Sequence, residues 1–291
     1  MFESLVNLKE VEREPWELFF IGLLYASLSI FFVDLIFLKD AVFGKYSSLM
    51  IVTFTVIFCI PFFFYLIKAE EEKDIKIKKS GSLIKEHAKA LWALTYLFLG
   101  LLVAFSIWYI VLPQDITAQN FAAQIETYCK INYPLDMQNC VTTMGFGATP
   151  EITNTVLRGR TMSNVATIFA NNLLVLVFIL LFSLMFGAGS IFILAWNASV
   201  IGCAIGVFAR GQLTHLSSGL LRYLIHGIPE IAAYFTAALA GGILSVAIIR
   251  HNIREEKFWR VIKDALNMFL ISIAVLFAAA IVEVLVIPLF F

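Results

Sequence analysis

Residues 224–249 read LIHGIPEIAAYFTAALAGGILSVAII. An imidazole, His226, and a carboxylate, Glu230, stand at the head of an uncharged apolar run. Runs of roughly 20 such residues are what a helix needs to cross the hydrocarbon core of a bilayer. An ionisable group at that depth is costly and usually has a task. Between the two polar groups lie Gly227 and Pro229. Ile228 precedes a proline and is biased away from helical angles. Pro229 suits the first position of a helix, where its missing N–H does no harm. Glu230 then falls in the first turn, favoured by the helix dipole. The local chemistry predicts an elbow at 226–230, with a new helix starting at Pro229.

The rest of the chain fits this setting. Of 291 residues, 60% are hydrophobic and only 14% charged, against about a quarter charged in ordinary soluble domains. The mean hydropathy is +0.89. Apolar runs at 18–38, 47–67, 91–112, 167–187, 189–209, 229–249 and 265–287 predict an all-α, polytopic membrane helix bundle of seven spans. Residues 212–226 are too polar for a span and too apolar for a free loop. Their leucines, Leu213, Leu216, Leu220 and Leu224, recur at helical spacing. A re-entrant or interfacial half-helix is expected there, buried against protein or a wet cavity. Residues 1–16 read as an interfacial helix with Trp16 at headgroup level. The glutamates crowding the N-terminus argue against a cleaved signal peptide. The net charge is zero and no basic face is available, so nucleic acid is not an expected partner.

Charge sets the expected orientation. Lys68, Lys73, Lys76, Lys78, Lys79, Lys85 and Lys89 lie between the second and third spans; Arg250, Arg254, Lys257, Arg260 and Lys263 lie between the sixth and seventh. With Lys9 and Arg13 they make fourteen of the 21 basic residues, all on one side. Cytoplasmic segments carry that excess. The N-terminus is therefore expected inside, the C-terminus outside, and the 113–166 loop outside. That loop holds Cys129 and Cys140, whereas Cys59 and Cys203 fall in spans. Two cysteines in an oxidising compartment predict a disulfide.

This topology levels several polar residues. Asp34 near the end of the first span, Asn171 and Asn172 in the fourth, Glu230 with His226 at the sixth, and Glu283 in the seventh share the outer leaflet. Asn197 lies nearer the midplane of the fifth. They predict one polar cluster, either a hydrogen-bonded lock between helices or a path for ions or a polar solute. A third reading has His226, Glu230 and Glu283 hold zinc or another divalent metal for intramembrane hydrolysis. No cofactor is otherwise expected. Gly202 and Gly206 form a Gly-x-x-x-Gly pair, first of all a device for close helix approach.

Phe169-Ala170-Asn171-Asn172, Trp196-Asn197-Ala198 with Gly202, His226-Gly227-x-x-Glu230 and Ile281-Val282-Glu283 together resemble the stage II sporulation protein M family of integral membrane proteins. The resemblance covers roughly residues 91–288. Residues 1–90 would then form an N-terminal extension with two spans and a basic cytoplasmic loop. The family's pattern commonly has Gly after the fifth-span asparagine, where this chain has Ala198. The resemblance implies Asn171, Asn172, Asn197, His226, Glu230 and Glu283 as its site positions. It also implies a membrane scaffold for cell-envelope partners. The expectation is a multi-pass cell-membrane protein that is a non-enzymatic scaffold or assembly component. Its partners would be the bilayer, membrane or cell-envelope proteins, or further copies of itself.

Overall fold

The computed structural model describes residues 14–76, 83–133, 136–145, 162–186, 189–211, 213–250 and 256–286. Ten helices carry the architecture: α1 (Glu17–Phe37), α2 (Ser47–Lys76), α3 (Ala88–Val111), α4 (Gln114–Asn120), α5 (Ala122–Asn132), α6 (Met137–Gly145), α7 (Met162–Phe186), α8 (Ser190–Gly211), α9 (Leu213–Arg250) and α10 (Glu256–Ile281). Single turns at Phe43–Tyr46 and Leu83–Glu86 precede α2 and α3, and α10 runs into a π-helical stretch, Val282–Val286. Seven of these helices are long and apolar enough to cross a membrane, in register with the seven expected spans. The protein is an all-α multi-pass membrane bundle.

α9 is the axis of the bundle. In its apolar window 78% of the residues are buried, against 33% for α1 and 17% for α7. Its small residues let neighbours close in: Ala233, Ala237, Ala238, Ala240 and Ala247 are all fully buried. A methyl group on Gly241 would meet Ser183 of α7 at 2.7 Å, and one on Gly242 would meet Ile67 of α2 at 2.5 Å. Where lipid supplies no hydrophobic drive between helices, such close approach is a main source of association. Gly202 and Gly206 of α8 serve the same purpose, packed on Phe105 and Tyr109 of α3. The tightest crossing joins α1 to α3. There a Cβ on Gly22 would collide with the Leu97 carbonyl, and one on Gly100 with the Phe19 carbonyl.

Two expectations need correction. Residues 213–226 are helical, but they are not a separate half-helix. α9 continues without a break through Pro229 to Arg250, 38 residues, or about 57 Å at 1.5 Å per residue. The elbow at 226–230 is therefore absent. Proline removes one backbone bond, and a membrane helix held by neighbours tolerates that loss.

The 113–166 segment is not a plain loop. Its described part folds into α4, α5 and α6, and Cys129 of α5 is disulfide-bonded to Cys140 of α6. Phe121, Ile125 and Tyr128 recur at helical spacing and are buried. Phe121 meets Tyr109 edge-on with ring centroids 5.2 Å apart, and Tyr128 meets Phe208 of α8 at 6.3 Å. At the end of α3, Arg210 of α8 donates to the Ile110, Leu112 and Thr117 oxygens and stacks on Tyr109. A cation is well placed at a helix C-terminus, where carbonyls lack intrahelical partners. The inserted helices are thus fastened to the bundle by apolar contacts and by hydrogen bonds from Arg210, and the disulfide ties α5 to α6 within the insertion.

Candidate functional site

Glu230 sits on the most buried helix, and the Asn172 side-chain amide of α7 donates to its Oε1. Tyr234, one turn further along α9, is buried beneath it. Glu283, in the π-helical stretch after α10, lies within electrostatic reach of Glu230, and that stretch packs on both α7 and α9. Phe169 of α7 and Phe277 of α10 meet edge-on with centroids 5.3 Å apart. Three helices thus converge on Glu230. π-Helical turns within α-helices recur at functional positions.

The other expected members are dispersed. Asn171 is exposed on α7. The Asn197 amide donates 2.8 Å back to the Ile193 carbonyl of its own helix. Asp34 is bonded not to the Glu230 group but to Asn120 of α4, whose Nδ2 donates to Asp34 Oδ1 at 2.7 Å. The single expected cluster is two carboxylate–amide pairs on different sides of the bundle. The side chain of His226 lies outside the described residues. Among the described residues no three His, Cys, Asp or Glu side chains converge as metal ligands.

Asn172, Glu230 and Glu283, on three adjoining spans, are among the positions the family resemblance rests on. The family model described as Stage II sporulation protein M matches residues 51–288. The chain belongs to the stage II sporulation protein M family. The match begins within α2, ahead of the boundary at 91 expected from the sequence, and takes in α2 as well as the seventh span. An uncharacterized protein of Methanocaldococcus jannaschii is 34% identical over 130 residues, which cover 43% of this chain and 71% of that protein. No solved structure matches the chain.

The family match also includes a polar group that the sequence reading did not single out. At the ends of α2, α3 and α9 opposite to Glu230, the Glu70 carboxylate is held by His87 Nδ1 at 2.7 Å and by Lys73 Nζ at 2.5 Å. Arg250, closing α9, donates to Glu71 at 3.1 Å and Glu72 at 3.4 Å. Glu70, Glu71 and His87 are all buried. Buried charges persist where they are paired and hydrogen-bonded. The signal was the Glu70-Glu71-Glu72 run directly behind a span, with His87 directly ahead of the next. The Arg250 ties fasten the C-terminal end of α9 to α2, as the Asn172–Glu230 bond fastens its middle to α7.

A second missed group is the polar row on α4 and α5. Gln119 donates to the Leu38 and Gly44 carbonyls at 3.1 and 2.9 Å. Gln124 donates to Ser199 Oγ of α8 at 3.1 Å. Gln119, Asn120 and Gln124 alternate with the buried Phe121 and Ile125, a pattern that marks a helix packed on both apolar and polar partners.

Proposed function

We propose that this family member is a non-enzymatic scaffold or assembly component of the cell membrane, in which the Asn172–Glu230 bond locks the loosely packed α7 onto the central α9. One observation carries the reading. The helix with the least buried surface among the seven is tied by its amide to the carboxylate of the most buried helix. Hydrogen bonds across helices in lipid hold a bundle in one arrangement. A fixed arrangement is what a docking platform for membrane or cell-envelope proteins, or for further copies of the chain, requires. The N-terminus is assigned to the cytoplasm and the C-terminus to the outside, on the basic residues between spans two and three and spans six and seven. The Cys129–Cys140 disulfide supports that orientation, because it falls in a segment assigned to the oxidising side.

The runner-up is a small transporter or channel with a polar path through His226, Glu230 and Glu283. The π-helical turn that carries Glu283 favours it. Reconstitution separates the two. In proteoliposomes carrying a proton- or cation-sensitive dye, the scaffold reading expects no flux above protein-free vesicles. It also expects Glu230→Gln to lower the melting temperature or the recovery of co-purifying membrane proteins. A wild-type flux that disappears in Glu230→Gln would overturn it in favour of transport.

A further inference from the structure

α7 turns most of its surface away from the rest of the chain: 17% of the residues in its apolar window are buried, the least of the seven spans. Thr167, Asn171, Leu174, Phe178, Leu181 and Met185 are all exposed on it. They follow one another in steps of four and three residues by turns, the spacing of a seam along which two helices pack. A purely apolar stripe of this kind would face lipid and need no partner. Asn171 does not suit that role. It stands six residues into the span Val165–Met185, about 9 Å along the helix axis, where lipid offers an amide neither donor nor acceptor.

Among the described residues Asn171 has no hydrogen-bond partner. Asn172, beside it, turns inward and donates to Glu230. Other polar side chains in the spans are answered by their own helix. Asn197 donates to the Ile193 carbonyl at 2.8 Å, and the exposed Thr53 to the Leu49 carbonyl at 2.9 Å. Asn267 of α10 is exposed as well, but it stands one turn after Lys263 and two residues into the apolar run 265–287, at headgroup level. An amide carries donors and an acceptor on one side chain, so a second amide answers both. A second copy of the chain inserts α7 with the same end outward. A two-fold axis along the membrane normal then sets the two helices parallel, residue 171 opposite residue 171. In parallel two-stranded coils a seam asparagine fixes the register in this way. Ala166 and Ala170, exposed beside the seam, leave room for the backbones to approach.

We infer that α7 is the interface through which two copies of this chain associate in the membrane, parallel and side by side, with their Asn171 amides paired in the seam. The two adjacent asparagines divide the work: Asn172 holds α7 to its own bundle, and Asn171 holds it to the other copy. The inference does not depend on the scaffold reading, since a transporter would dimerise along the same face.

The test uses the full chain in membranes. Cys59 and Cys203 are buried and Cys129 is bonded to Cys140, so an introduced cysteine is the exposed thiol. With copper phenanthroline in native membranes, Leu174→Cys and Leu181→Cys should each give a disulfide-linked dimer of the chain. Leu35→Cys and Leu270→Cys, on the exposed faces of α1 and α10, should not. Single-molecule photobleaching of the purified chain, diluted step by step into lipid, then reads the association itself. Asn171→Leu should weaken dimerisation by about threefold to tenfold, the worth of roughly one interhelical hydrogen bond in lipid. Asn171→Gln, which keeps the amide, should retain most of it. If Asn171→Leu fails to fold, the crosslinks still decide, because they are made with Asn171 in place. A chain that stays monomeric at every dilution overturns the inference, and so does crosslinking no stronger in the seam than at the two control positions. Seam adducts to other proteins in place of the dimer, or a dimer that Asn171→Leu leaves unchanged, overturn it as well.

Discussion

The molecule solves one problem twice. Glu230 and Asp34 are both carboxylates within apolar helices, both answered by an asparagine amide from another element. Their settings differ. Asn172 is half-buried on a helix that mostly faces lipid, and its neighbour Asn171 is exposed. Asn120 is fully buried on a short helix that enters the bundle, followed by a disulfide-linked pair. A hydrogen bond in the first setting fastens one span to another. In the second it joins the half-buried Asp34 of α1 to a buried asparagine of the inserted helix α4. The difference teaches that depth in the membrane alone does not define a site. The element that brings the amide decides what the bond fastens.

This contrast can be broken or sharpened by experiment. The largest effect is expected from breaking the disulfide. Replacing Cys129 and Cys140 by serine releases a bond of sequence separation 11, worth about 3 kcal/mol through loop closure. The loss should appear in denaturant titration, and hydrogen exchange should rise in α4–α6 while α7 and α9 keep their protection. Asn120→Leu comes next, at about 2–3 kcal/mol, because the half-buried Asp34 carboxylate loses the donor that a fully buried side chain supplies. Asn172→Leu should cost less, about 1–2 kcal/mol, since α7 can shift toward lipid and readmit polar headgroups or water. If Asn172→Leu proved the more damaging in thermal melts, the ranking of the buried Asn120 above the half-buried Asn172 would be reversed.

The smallest effect lies in the link between α1 and α2. Asp40 accepts from the backbone N–H groups of Phe43 and Val42, both at 2.8 Å. These bonds hold its carboxyl below the usual range. A depressed folded-state value means that the added stability is present above the ordinary aspartate pKa, about 3.9, and is lost as pH falls through the lower value. Because the group is fully exposed, the expected consequence is local. Asp40→Ala should speed exchange of the Phe43 amide without moving the global melt.

Much of this was legible in the residues. The spans were, because an apolar run of the right length has few alternatives in a chain so poor in charge. The level of Asn172, Glu230 and Glu283 was legible too, since topology converts sequence position into depth. The elbow at Pro229 was misread because local preference for a helix start competes with continuity, and in a packed membrane helix continuity won. The Asp34–Asn120 pair was hidden by its distance along the chain, and α4–α6 by their polarity. In 113–145 the apolar signals at helical spacing, Phe121, Ile125 and Tyr128 and then Met137, Val141 and Met144, are each short beside a span of roughly 20 residues. Burial of Glu70 and His87 was illegible for a related reason. Charges flanking a span are usually solvated, and only the fold brings Glu70 against His87.

The account rests most on the bond between α7 and α9. A double-mutant cycle of Asn172→Leu and Glu230→Leu, read by denaturant unfolding in one detergent, measures it directly. The lock predicts a coupling energy of about 1–2 kcal/mol, with the double variant less destabilised than the two single losses combined. Losses that add to within about 0.5 kcal/mol would contradict it.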